Sequence, residues 1–150
     1  MKKIINSPEK FVDETLEGIV AAYPEQVQLS PENSRVLLCK RPAPERKVSV
    51  VTAGGSGHLP VFLGYVGTGM LDGCTVGNVF ASPSASAMAT MIRAVDKGAG
   101  VLCLYGNYGG DVMNLNLACE DVEFDDIQTR IVLVKDDVAS SPKETAEKRR

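Results

Sequence analysis

Three apolar runs, Lys47–Thr52, Gly100–Tyr105 and Arg130–Val134, are interleaved with glycine loops and stretches of helical periodicity, and this order constrains the fold most. Short apolar runs rich in β-branched residues read as buried strands. Strands separated by helices pair in parallel, because each crossover returns the chain to the same end of the sheet. The helical stretches run from Pro8 to about Tyr23, from Ser84 to about Lys97, and from Val112 to about Asp121. The expected class is α/β: a largely parallel sheet flanked by helices, with a mixed sheet left open.

Local signals support these elements. Ser7 can cap the first helix, Pro8 suits its first position, and Phe11, Val12, Leu16, Ile19 and Val20 form one apolar stripe before Pro24 stops it. Residues 24–46 hold Pro24, Pro31, Pro42 and Pro44 around a short strand candidate, Val36–Cys39. Residues 64–83, with Gly64, Gly67, Gly69, Gly73 and Gly77, read as a long ordered loop or a series of short elements. In the next helix Met88, Met91, Ile92 and Val95 face inward, and Gly98 ends it. Met70, Met88, Met91 and Met113 read as core fillers, as does Cys103.

Two strand ends carry the chemistry. Val48–Thr52 runs into Ala53-Gly54-Gly55-Ser56-Gly57-His58, which sets the chain's sole histidine on a glycine loop. Glycines let backbone N–H groups approach a ligand, and imidazole is the side chain that titrates near neutrality. The second strand runs into Gly106-Asn107-Tyr108-Gly109-Gly110-Asp111. In parallel sheets ligands bind beyond the carboxyl ends of strands, so both loops are expected at one edge. Asp111 can cap a helix starting at Val112, act as general base for a hydroxyl, or both. The glycine loop can equally be a plain strand-to-helix turn. Asn107 and Asn114 can orient a polar ligand, while Asn114-Leu115-Asn116 reads as helix surface; Asp136 and Asp137 read as solvated turn residues.

Several classes are disfavoured. The first loop lacks the terminal Gly-Lys-Ser/Thr of a P-loop, and Pro60 replaces the last glycine of a dinucleotide fingerprint. A net charge of -3 with scattered Lys and Arg argues against a nucleic-acid or anionic-membrane surface. No apolar run approaches the ~18 residues of a membrane span. Cys39, Cys74, Cys103 and Cys119 form no C-x-x-C pair, so the usual zinc spacings are absent and no metal is expected. Reduced thiols fit a cytoplasmic protein. Ser141 and Glu144 make a capping box for a helix two turns from Arg150, so residues 1–150 are expected to be one domain of a truncated chain. A frayed terminal helix is the alternative.

Taken in register, six segments resemble the substrate-binding (K) subunit of the dihydroxyacetone kinase family, over its N-terminal half. They are Met1-Lys2-Lys3-Ile4-Ile5-Asn6, Gly54-Gly55-Ser56-Gly57-His58-x-Pro60, Gly64-Tyr65-Val66-Gly67-x-Gly69-Met70-Leu71, Phe80-Ala81-Ser82-Pro83, Asn107-Tyr108-x-Gly110-Asp111-Val112-x-Asn114 and Asp136-Asp137-Val138-Ala139. The resemblance implies a cytoplasmic, dimeric kinase subunit that binds a small ketose and phosphorylates its terminal hydroxyl. ATP or ADP with magnesium would sit on a partner subunit or domain, and this chain would bind no cofactor. By the same resemblance Asp111 accepts the hydroxyl proton and His58 hydrogen-bonds the substrate. Gly54 and Gly55 match substrate-contacting glycines; Ser56, Gly57 and Asn107 complete the expected pocket. A second histidine, which bonds the substrate carbonyl carbon, belongs to the family's other half, so residues 1–150 alone are expected to be inactive. Three positions depart from the pattern: Ala53 for a glycine, Leu59 for a glutamate, and Gly106 where many members carry a lysine. The loss at Gly106 would open space near the hydroxyl, suggesting a four-carbon ketose such as erythrulose. A non-catalytic, sugar-binding coactivator of the same fold and an inert folding unit remain open; retention of both His58 and Asp111 favours catalysis.

Overall fold

The computed structural model describes residues 3–41 and 44–150; Met1, Lys2 and Pro42, which the sequence reading used, lie outside them. Six strands make one sheet: β1 (Val27–Leu29), β2 (Val36–Cys39), β3 (Ser49–Gly55), β4 (Gly73–Gly77), β5 (Val101–Gly106) and β6 (Thr129–Val134). Their order is β1-β2-β4-β3-β5-β6. The run β4-β3-β5-β6 is parallel, and β2 and β1 extend it antiparallel beyond β4. The sheet is therefore mixed, with the parallel part carrying the loops of interest.

Strand alternation divides the core into two. Val36, Leu38, Val51, Ala53, Val101, Cys103 and Tyr105 face α2 (Ala85–Val95) and α3 (Gly109–Glu123). Leu37, Cys74 and Val76 face α1 (Phe11–Ala22) and the 63–71 segment. In α2 the Ser84 hydroxyl accepts the Ala87 N–H at 3.2 Å and caps the helix. Met88, Met91 and Ile92 below it are fully enclosed; each contributes about 2 kcal/mol through burial. The second layer stops short of β6, where Ile131, Val132 and Val134 stay partly exposed.

The structure changes several expectations. α1 begins at Phe11, after a turn at Pro8–Lys10 over which the Ser7 hydroxyl accepts the Lys10 N–H at 3.3 Å, the bond expected of a cap at Ser7. The 64–83 stretch hides β4, whose glycines mask its strand pattern although every residue of it is buried. β3 continues through Gly55 rather than ending at Thr52. Met70 and Met113 are exposed, not core fillers. Ser141 caps no α-helix: its hydroxyl bonds Thr145, and Lys143–Lys148 is 3₁₀ with a non-helical kink at Thr145. α3 begins at Gly109, so Asp111 lies inside its first turn and is not the cap. No helix among the described residues is long and apolar enough to cross a membrane.

Candidate functional site

The chain leaves β3 toward β4 on one side of the sheet and returns through α2 to β5 on the other. Such a switch point opens a crevice at the carboxyl ends of the two flanking strands. β3 bonds β5 only from Ser49 to Val51, whereas it stays paired with β4 through Gly55. Thr52–Gly55 and Leu104–Gly106 thus flank a gap that no ladder closes.

Both candidate residues stand on the segments that leave these two strand ends. A 3₁₀ turn, Ser56–His58, follows β3 and leaves His58 exposed. Its ring meets Phe62 edge-on at 5.7 Å and Tyr108 at 5.4 Å, so side chains from both loops fix the imidazole. Asp111 hangs from the first turn of α3 and is 6% exposed. Burial pushes its carboxyl above the usual range, and the Ser82 hydroxyl and the His58 ring pull it partway back. The same carboxylate acts on Tyr105, whose phenol burial drives well upward.

The polar accounting points to this crevice. Ser56 Oγ, Tyr105 Oη and Asp111 Oδ1 are buried without a hydrogen-bond partner among the described residues; Asp96 Oδ1 is the other such atom. Buried polar atoms are normally paired, and exceptions call for a water, an ion or a ligand. Three of the four belong to the ends of β3 and β5 or to the segments that directly follow them, Ser56 after β3, Tyr105 in β5 and Asp111 in the first turn of α3.

The remaining expected residues are placed less uniformly. Gly54 and Gly55 line the gap in β3, and a Cβ on Gly54 would overlap the Phe62 ring. Gly57 is exposed beside the Phe80 backbone N–H and the Val79 side chain. Asn107 turns to the C-terminal segment, its amide donating to the Arg149 carbonyl at 2.8 Å. Asn114 donates to the Pro83 carbonyl at 2.7 Å, tying the 78–84 loop to α3. Gly106 does not open space: a Cβ there would lie 2.9 Å from the Tyr108 ring, which fills that volume. Sequence reasoning passed over Ser82 and Tyr108, although both stood inside motifs it used. Ser82 Oγ comes within 2.6 Å of where a Gly110 Cβ would be, and so sits against the first turn that carries Asp111.

A model of the Dak1 domain matches residues 17–150. The chain belongs to the dihydroxyacetone kinase family. It is 41% identical over all its 150 residues to the dihydroxyacetone-binding subunit DhaK of PTS-dependent dihydroxyacetone kinase 2 from Listeria innocua, covering 45% of that protein. It is equally 41% identical over 150 residues to an L-erythrulose 1-kinase from Mycolicibacterium smegmatis, covering 26% of it. The native form of the C. freundii dihydroxyacetone kinase superposes with a TM-score of 0.86 at 31% identity, over 95% of this chain and 27% of that one. The chain thus spans less than half the length of these relatives. The fold is that of the kinase's K domain, as the resemblance implied.

Proposed function

We propose that this chain is the ketose-binding part of a kinase that phosphorylates a terminal hydroxyl of a small ketose of three or four carbons. The observation that carries the reading is the buried, unpartnered Asp111 Oδ1 in a crevice shared with His58. A primary alcohol is a weak nucleophile until a base takes its proton during attack, and an aligned carboxylate can do so. Burial raises the proton affinity of Asp111, which makes it a stronger base than a solvated aspartate. His58 would hold the substrate carbonyl or a hydroxyl, and Ser56 and the backbone of Gly54, Gly55 and Gly57 would complete the polar contacts. Asn107 serves best by holding the turn through Arg149.

The crevice offers one imidazole, hydroxyls and a single buried carboxylate. That donor set does not fit a magnesium–nucleotide, which takes a cradled phosphate chain and carboxylates open to water. The phosphoryl donor therefore belongs to a partner, a nucleotide-bearing subunit or domain in the cytoplasm. Positioning and charge stabilisation supply most of such a transfer, so a chain that only binds and deprotonates the acceptor suffices on its side.

The test titrates the protein with dihydroxyacetone and erythrulose by NMR, then assays transfer after adding the nucleotide-bearing partner. His58→Ala should weaken ketose binding. Asp111→Asn should keep binding and lower transfer about 10²–10⁴-fold. Binding without turnover in a longer chain that also carries the second histidine would sink the kinase reading in favour of the sugar-binding coactivator.

A further inference from the structure

A phosphorylated ketose carries close to two negative charges, and burying them beside Asp111 needs a cation. The chain holds 19 acidic against 16 basic residues, yet Arg150 forms no salt bridge among the described residues. Its guanidinium lies 5.5 Å above the Tyr108 ring, which also packs against His58 at 5.4 Å. Such a cation–π contact holds the charge in place while leaving its N–H donors free.

The position is built by several ties. The Arg149 carbonyl accepts the Asn107 amide at 2.8 Å, and the Arg150 carbonyl accepts the Asp137 N–H at 2.9 Å. The Arg150 N–H donates to Ser140 Oγ at 3.0 Å, and Arg149 Nε donates to the Ser141 carbonyl at 3.0 Å. The first bond ties this segment to the 106–108 turn, and the other three hold residues 137–150 together. The neighbouring start of α3 has no side-chain cap, and Gly109 and Gly110 are exposed there. Uncapped N–H groups at a helix start favour anions and add to the arginine. The guanidinium fork matches phosphate oxygens in pairs.

We infer that Arg150, seated on Tyr108 beside His58, marks a phosphate subsite that receives the phosphoryl group of the phosphorylated ketose. The inference rests on the ketose-binding reading but can fail separately from it. Isothermal titration of the chain with dihydroxyacetone phosphate, dihydroxyacetone and inorganic phosphate separates the two. Arg150→Ala should lower the ratio of phospho-ketose to ketose affinity about tenfold, Arg150→Lys should recover part of it, and inorganic phosphate should compete with the phospho-ketose. Arg150 is exposed, so an unchanged melting temperature is expected to certify the variants as folded. An unchanged ratio in Arg150→Ala, or no binding of either phosphate probe to the unaltered chain, overturns the subsite. Arg150-dependent phosphate binding without any dihydroxyacetone binding keeps the subsite and overturns the ketose reading.

Discussion

The two strand ends that flank the crevice are built by opposite means. The β3 end depends on missing side chains: Gly54 lies under the Phe62 ring, and Gly77, its neighbour strand's last residue, lies under the Ala81 carbonyl. The β5 end depends on side chains that are present and uneasy. Tyr105 and Asp111 are buried with unpartnered oxygens, and α3 pins the 78–84 loop through Asn114. The β3 end is thus sensitive to added volume, and the β5 end to charge. A site that must admit a small polar molecule and still lower the barrier to deprotonation uses both: bare backbone for approach, and a desolvated carboxylate for basicity.

Volume gives the largest expected effect. Gly77→Ala would drive a methyl into fixed backbone at Ala81 and into the Ser82–Pro83 turn, whereas Gly54→Ala meets a ring that can rotate away. Gly77→Ala should therefore cost about 3 kcal/mol, and Gly54→Ala clearly less, read as shifts in urea midpoint. Equal costs at the two positions would erase the distinction between backbone and side-chain crowding.

Charge comes next, at the other strand end. Asp111 has a folded-state pKa raised by burial above the unfolded value of about 3.9. Its contribution to stability is fully present below that unfolded value and is lost as pH rises through the raised one. Asp111→Asn removes this loss. Its stability relative to the unaltered protein should grow as pH is taken from 3 to 7. A stability difference that does not change with pH would mean that the carboxylate is better solvated than its burial implies.

The same contrast explains what could be read in the sequence. Helix α2 and strand β5 were legible because their apolar periodicity is decided locally, by Met88, Met91 and Ile92 and by Val101, Cys103 and Tyr105. The convergence of His58 and Asp111 was legible too, since parallel strands must end at one edge. β4 was not, because Gly73 and Gly77 are chosen by neighbours distant in sequence: Met91 and Val95 crowd Gly73, and Ala81 crowds Gly77. The antiparallel β1 was hidden by its three-residue length. Asp111 was misplaced by one turn because the helix starts on two glycines, Gly109 and Gly110, which sequence patterns read as loop. The filling of the Gly106 space by Tyr108 is a packing fact that no local pattern encodes.

The smallest effect lies at the far end of α3, and sharpens the claim that this half of the crevice is governed by charge. Cys119 of α3 lies against Cys103 of β5 and lines a cleft of about 620 Å3 with Thr129 and Arg130. The Cys103 hydrogen bond draws the Cys119 thiol down to about 7, with help from Thr129, against the opposing effect of burial. Cys103, wholly enclosed, is pushed far upward and stays protonated as the donor. Iodoacetamide should therefore label Cys119 ahead of Cys39, Cys74 and Cys103, with a pH midpoint below that of an ordinary thiol. Cys103→Ala should move that midpoint toward the ordinary thiol value of about 8.5. Ketose binding should not change on labelling, because the opposite end of α3 carries Asp111. Labelling of Cys39 at the same rate would show that the paired sulfurs confer no special acidity, and that electrostatic control on this side is confined to Asp111.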